Sequence, residues 1–252
     1  MHQPDPARLS ESLRTQTGAF ADTVADLSPD APVPTCPQWR VRDLVGHVGQ
    51  AHRWAAGIVR TGTPAGPPDP RATEPGAPEN WPAWLAKGAA ELIDAVDETG
   101  PDRPVWTFLD ERPARFWLRR LLNDLVVHSA DAAFAAGVDF DVPSELAEDT
   151  ISETLELMGD PTAARLKAEL ANLRGTGQTL QFRPTEEPGW LITRTPTGPT
   201  WTRTTANADM VVAGSVHELL LVFSGRRSPA EAEVTITGDE TLLTHWLTNT
   251  PL

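Results

Sequence analysis

The sequence predicts an α+β protein in two parts: a helical N-terminal domain over residues 1–174 and a smaller α+β domain with an antiparallel sheet over residues 175–252. Three observations carry this expectation. Up to about residue 173, apolar and small side chains recur at helical spacing between proline- and glycine-rich loops. After Gly175 the texture changes to short, threonine-rich, β-branched runs separated by turn residues. At 252 residues the chain is also long enough to build two cores.

The elements follow in order. Helical spacing runs from Asp5 to about Leu27, where "SPDAPVPTCPQW" stops it with prolines that demand an extended chain. A second helix is expected over Val41 to Arg60. It is followed by "TGTPAGPPDPRATEPGAPENW", a surface loop or lid over Thr61 to Asn80. A third helix covers Trp84 to Asp97. The fourth starts with Pro113 in its first turn and ends at Ala136, with Gly137 as a left-handed cap. Glu145 to Leu173 reads as helical, broken near "GDP". Beyond it "TLQFRPT", "GWLITRT", "PTWTRTT", "DMVVAGS" and "EVTITG" read as strands, expected to be antiparallel, while "VHELLLVFSG" and "DETLLTHWL" read as helices. No internal repeat is present.

Composition excludes several classes of function. A net charge of −14 with no basic run argues against a phosphate-binding surface and hence against nucleic acid as a partner. No stretch approaches the roughly 20 apolar residues that span a bilayer, and "MHQPDPARLSESLRTQTGAF" has no leader pattern. A soluble, cytoplasmic protein is expected. Cys36 is the only cysteine, which rules out an internal disulfide and a multi-cysteine zinc site.

The unusual feature is "LLNDLVVHSAD" in the fourth helix, which sets Asp124, His128 and Asp131 among leucines and valines. Positions four apart on a helix are separated by about 40°, and positions seven apart by about 20°. The three residues therefore share one stripe, continued by Leu121 and Trp117, beside the apolar stripe of Leu118, Leu122, Leu125 and Ala132. A carboxylate and an imidazole at i and i+4 can both reach one divalent cation. The same pair also suits an ordinary buried hydrogen bond, and two ligands do not make a site. The second helix, in "WRVRDLVGHVGQAHRW", offers His47 and His52, which lie about 140° apart on opposite edges of its apolar stripe. They are not expected to bind the same ion, and spacing leaves the choice between them open.

"PTCPQWRVRDLVGHV", "LLNDLVVHSADA" and "ELLLVFSGRR...VTITGD...LLTHWL" together resemble the mycothiol-dependent maleylpyruvate isomerase family of actinobacteria, across essentially the whole chain. The resemblance implies a DinB-like four-helix bundle that binds a divalent metal, usually zinc, followed by a small α+β domain of sterol-carrier type. By position it makes His47, Asp124 and His128 the metal ligands and leaves His52 structural. Asp124 stands where the family has glutamate, one methylene longer. Asp131 matches the trailing acidic residue of the motif and is expected to orient an imidazole or tether a neighbouring helix. Arg226, in "FSGRRS", is the better match to an arginine implicated in the family's activity. It is taken as the catalytic and mycothiol-binding guanidinium, although a solvated helix end would place Arg226 and Arg227 equally well.

Two histidines and one carboxylate leave coordination positions open, as catalytic zinc sites do. The implied chemistry is activation of a thiol, whose pKa near 8.5 falls beside a divalent cation. The resemblance thus implies an enzyme with zinc or another divalent metal, and with mycothiol as cofactor or co-substrate. It would act on a small electrophile as an S-transferase or a cis-trans isomerase. Two other readings stand beside this one: a non-catalytic small-molecule binding or regulatory protein with a degenerate metal site, for which Asp124 is the clue, and a thiol-independent metal hydrolase or lyase. Cys36, bracketed by prolines, is expected to pack rather than react. His217 and His245 are expected to be structural. Of the nine tryptophans, Trp54, Trp81, Trp84, Trp106 and Trp117 fall in or beside the helical part, as core or as pocket wall.

Overall fold

The computed structural model describes residues 5–69, 71–165, 167–185 and 187–250. They divide into two compact units, Met1–Phe140 and Asp141–Leu252.

In the first unit, helix α1 (Pro6–Val24) packs on α3 (Trp81–Thr99) and α4 (Arg115–Ala136), and α2 (Val41–Thr61) packs on the same two. Each helix contributes an apolar stripe at three- and four-residue spacing, and Leu13, Phe20, Leu44, Leu85, Leu92, Leu118 and Leu122 are buried between them. Left-handed glycines stop α2 at Gly62 (φ 65°) and α4 at Gly137 (φ 67°), where a side chain would be strained. The loop after α2 forms no helix or strand before a short 3₁₀ turn at Pro78–Asn80; Pro70 lies outside the described residues. Two indoles fasten the loop, with Trp54 Nε1 donating to Ala65 O (3.3 Å) and Trp81 Nε1 to Gly76 O (3.0 Å).

A hairpin that the sequence did not announce precedes α4. Strands β1 (Pro104–Thr107) and β2 (Asp110–Pro113) are antiparallel, so Pro113 pairs with Pro104 instead of opening the helix, which begins two residues later. Four-residue strands carry too little alternation to be seen, and "DERP" is polar throughout. The turn puts Asp110 at φ 83° and is held by the Thr107 hydroxyl, which donates to Asp110 O (2.6 Å) and accepts from Leu109 N (3.1 Å).

The second unit begins with α5 (Ser144–Gly159) and contains β3 (Thr179–Pro184), β4 (Trp190–Thr195), β5 (Gly198–Arg203), β6 (Met210–Gly214), α6 (Val216–Phe223), β7 (Val234–Gly238) and α7 (Glu240–Asn249). Its sheet has the order β5-β4-β3-β6-β7. All neighbours are antiparallel except β3 and β6, which are parallel because the chain returns from the β3–β4–β5 meander to lie beside β3. The alternate residues Trp190 and Ile192, and Met210 and Val212, are buried together with α6.

The division between units falls at 140/141, earlier than the 174/175 expected. Helix α5 packs on α6 and β5, the Trp190 indole donates to Ser152 Oγ (2.9 Å), and Arg203 pairs with Glu148 (2.9 Å). An amphipathic helix shows that it covers a core, and its periodicity does not say which core. Helical structure after α5 is reduced to 3₁₀ turns at Ala163–Arg165 and Ala168–Leu173, so the expected helix to Leu173 ends at Gly159. Among the described residues no helix is long and apolar enough to cross a membrane.

Close approach of α2 to α3 depends on Gly49, where a Cβ would lie 2.0 Å from Cζ3 of Trp84. Gly49→Ala is therefore expected to cost roughly 1–3 kcal/mol of stability through overpacking. Gly57→Ala, on the same helix with nothing within 4 Å of its Cβ, should be neutral or stabilising by up to about 1 kcal/mol. Calorimetric unfolding of the two variants beside the wild type checks the contrast.

Candidate metal centre

Packing of α2 on α4 brings His47 to the polar stripe of the fourth helix. His47 Nε2 lies 3.6 Å from Asp124 Oδ2, and His128 Nε2 lies 3.7 Å from the same oxygen. Ligand atoms of the three residues are all within 4.8 Å of one another. A cation about 2.0–2.2 Å from each ligand in tetrahedral geometry separates neighbouring ligand atoms by about 3.4 Å, so this donor set fits a divalent ion. The shorter side chain of aspartate still reaches both imidazoles. His52, five residues beyond His47, is buried and is not among the three residues whose ligand atoms converge.

The protonation pattern follows from the surroundings. Asp131 is fully buried, and its Oδ2 lies 2.8 Å from His128 Nδ1. A carboxylate only accepts, so Nδ1 carries the hydrogen in this contact, and the ring turns Nε2 toward Asp124. Asp131 also accepts from the Thr35 hydroxyl (Oδ1, 2.5 Å) and the Cys36 thiol (Oδ2, 3.8 Å). Trp39 packs on both imidazoles, with ring centroids 5.1 Å from His47 and 5.7 Å from His128. Burial acts to raise the Asp124 carboxyl, but the hydrogen bond from His47 and the charges of His128, His47 and Arg120 outweigh it and hold the group well below the usual carboxylate range. The Arg120 guanidinium lies 3.6 Å from Asp124 Oδ1. Asp124 is thus anionic at neutral pH, with a third of its side chain exposed.

Thr35, Cys36, Trp39 and Arg120 are additions to the site candidates singled out from sequence, where Cys36 was expected only to pack. The only signal for the first three was a proline-bracketed loop directly before the helix that carries His47. Cys36 is half-buried, and its thiol belongs to this polar group instead of an apolar contact.

The other sequence candidates have partners of their own. Arg226 is in the second unit, in the turn after α6, where its Nη1 donates to Ser224 O (2.9 Å); Arg227 pairs with Glu218 (2.5 Å). His217 Nε2 is 2.6 Å from Val142 O, and His245 Nε2 is 2.9 Å from Asn172 O, both inside that unit. Trp81 and Trp117 are fully buried, and Trp54 meets Trp117 edge-on at 5.0 Å, which makes these rings part of the first unit's packing.

Residues 11–133 match the family model described as mycothiol maleylpyruvate isomerase N-terminal domain. This segment is similar to that domain family. His47, Asp124, His128 and the partners Thr35, Cys36, Trp39, Arg120 and Asp131 all fall within it. Two solved structures are similar to the chain at 16% sequence identity, each over 93% of both chains. One is the crystal structure of the mycothiol-dependent maleylpyruvate isomerase, at TM-score 0.56, and the other is a histidine-to-alanine mutant described by the same name, at TM-score 0.59. At this identity the likeness is one of fold. No curated protein matches the sequence.

His52 supplies a pH prediction. Burial above all, with smaller contributions from Arg53 and His47 and against that of Asp124, lowers its pKa from 6.5 to about 4. Between these values the unfolded chain binds the proton and the folded one does not, so stability falls as pH drops from 6.5 toward 4. The expected loss is on the order of 3 kcal/mol. His52→Leu should flatten this part of the pH dependence, read as thermal midpoints of the two proteins between pH 7 and 4.5.

Proposed function

We propose that the protein is a metal-dependent, mycothiol-using enzyme of the cytoplasm. It transfers or adds the thiol to a small electrophilic metabolite, as an S-transferase or a cis-trans isomerase. The observation that carries this reading is the convergence of His47 Nε2, His128 Nε2 and Asp124 Oδ2 at ligand spacing, inside the segment matched by the isomerase domain model. Two neutral imidazoles and one carboxylate would leave a divalent ion with net positive charge, which favours an anionic fourth ligand. When bound, zinc or another divalent ion lowers the pKa of a thiol and holds its sulfur as thiolate.

The remaining tasks belong to the chain. Asp124 brings the negative charge, Asp131 keeps the Nδ1 hydrogen of His128 in place, and Trp39 restrains both rings. In the transferase form of the reaction the thiolate sulfur bonds to the electrophilic carbon, either as a leaving group departs from that carbon with its electron pair or as an activated double bond opens and its other carbon takes a proton, and the product leaves as a thioether. In the isomerase form the sulfur adds to an activated double bond, the carbon–carbon bond rotates, and the thiol departs. Arg226 enters as the guanidinium that hydrogen-bonds the hydroxyl-rich thiol, on the resemblance alone.

Protein purified without added metal is expected to carry about one divalent ion per chain by elemental analysis, and His47→Ala and His128→Ala should lose it while keeping the helical circular dichroism of the wild type. Wild type that takes up no zinc when zinc is offered overturns the metal assignment. Turnover of an electrophile should need both metal and mycothiol; turnover that persists without any thiol would support a hydrolase or lyase instead.

A further inference from the structure

The loop between α1 and α2 is closed on itself and fastened to the buried end of the candidate metal centre. Pro32 bridges to Arg40, Val33 N donates to Trp39 O (3.2 Å), Cys36 N to Val33 O (3.1 Å) and Trp39 N to Cys36 O (2.8 Å). From this small closed frame the Thr35 hydroxyl reaches Asp131 Oδ1 at 2.5 Å, across 96 positions of sequence. The other oxygen of the same carboxylate receives His128 Nδ1 at 2.8 Å.

We propose that Thr35 is a positioning residue for the metal centre. By holding the Asp131 carboxylate in one rotamer, it fixes the ring orientation and tautomer of His128, and so the direction in which Nε2 presents its lone pair. The inference rests on the metal reading above and adds to it a residue that touches no ligand atom.

Three features support it. Asp131 has no solvent exposure, so water does not compete to reorient its carboxylate, and protein donors set its angle. The hydroxyl holds Oδ1 while the imidazole and the Cys36 thiol lie on Oδ2, so the Thr35 bond restrains the oxygen that these other two donors do not. The frame that carries Thr35 also carries Trp39, whose indole packs on His47 and His128. One loop thereby restrains the outer side of both imidazoles. A partner one hydrogen bond removed from a metal-binding histidine, as Asp131 is from His128, is typically worth 10–100-fold in metal affinity, and a residue acting through it falls at the low end of that range.

The test is a zinc affinity measured by chelator competition on the full chain, with cobalt spectra as a second view of ligand geometry. Thr35→Val keeps the shape and removes the hydroxyl, and it is expected to weaken zinc binding about tenfold and to shift or broaden the cobalt bands. Thr35→Ser should restore the wild-type affinity to within about twofold, since it returns the hydroxyl. In an Asp131→Asn background, Thr35→Val should add little, because a residue acting through Asp131 is not additive with its loss. If Thr35→Val does not fold, Thr35→Ala takes its place. Wild type that binds zinc while Thr35→Val binds it equally well, or a Thr35→Val loss that persists in full on Asp131→Asn, overturns this inference alone. Wild type that binds no zinc overturns the metal reading and this inference with it.

Discussion

A carboxylate buried without exposure is the constraint on which the site depends. Taking Asp131 out of water costs several kcal/mol unless donors replace the lost hydration. Such donors include His128 from its own helix, and Thr35 and Cys36 from the loop before α2. The arrangement ties together segments about 95 residues apart and keeps a hydrogen on Nδ1 of the His128 imidazole. Helix α4 can carry a carboxylate on its inward side because another part of the chain is folded to receive it.

Charge is distributed unevenly around this anchor. Asp124 stays anionic although burial opposes it, because His47, His128 and Arg120 surround it. His52, on the same helix as His47, is neutral because burial dominates there. Two histidines five positions apart thus have different electrostatic surroundings. The helix rotation that points His47 toward Asp124 points His52 into the packing. Trp39 adds an aromatic wall to both site imidazoles, limiting their motion and the water that reaches their outer faces.

Much of the secondary structure was legible from local pattern. The four long helices, the five strands after Gly175 and the helices α6 and α7 all carry their periodicity in runs long enough to read. The β1–β2 hairpin was not, because strands of four residues are too short to carry a pattern, and Pro113 suits a helix start as well as a strand end. The place of α5 was not legible either. Its amphipathic face would suit either core, and contacts with α6, β5 and Trp190 decide that it belongs with the sheet. The parallel pairing of β3 with β6 lies outside local pattern for the same reason, since strand direction is fixed by where the chain returns.

For the site, the sequence by itself determined the shared stripe of Asp124, His128 and Asp131, because helical rotation is a local property of 3.6 residues per turn. It left His47 and His52 equivalent until a resemblance favoured one. Only the tertiary structure decided that His47 Nε2 and His128 Nε2 meet at one oxygen of Asp124, and that Thr35, Cys36 and Trp39 close around them. The physical reason is distance along the chain. Contacts between residues some 80 to 96 positions apart depend on how whole helices pack and how a loop is closed, and neither leaves a repeat in the sequence.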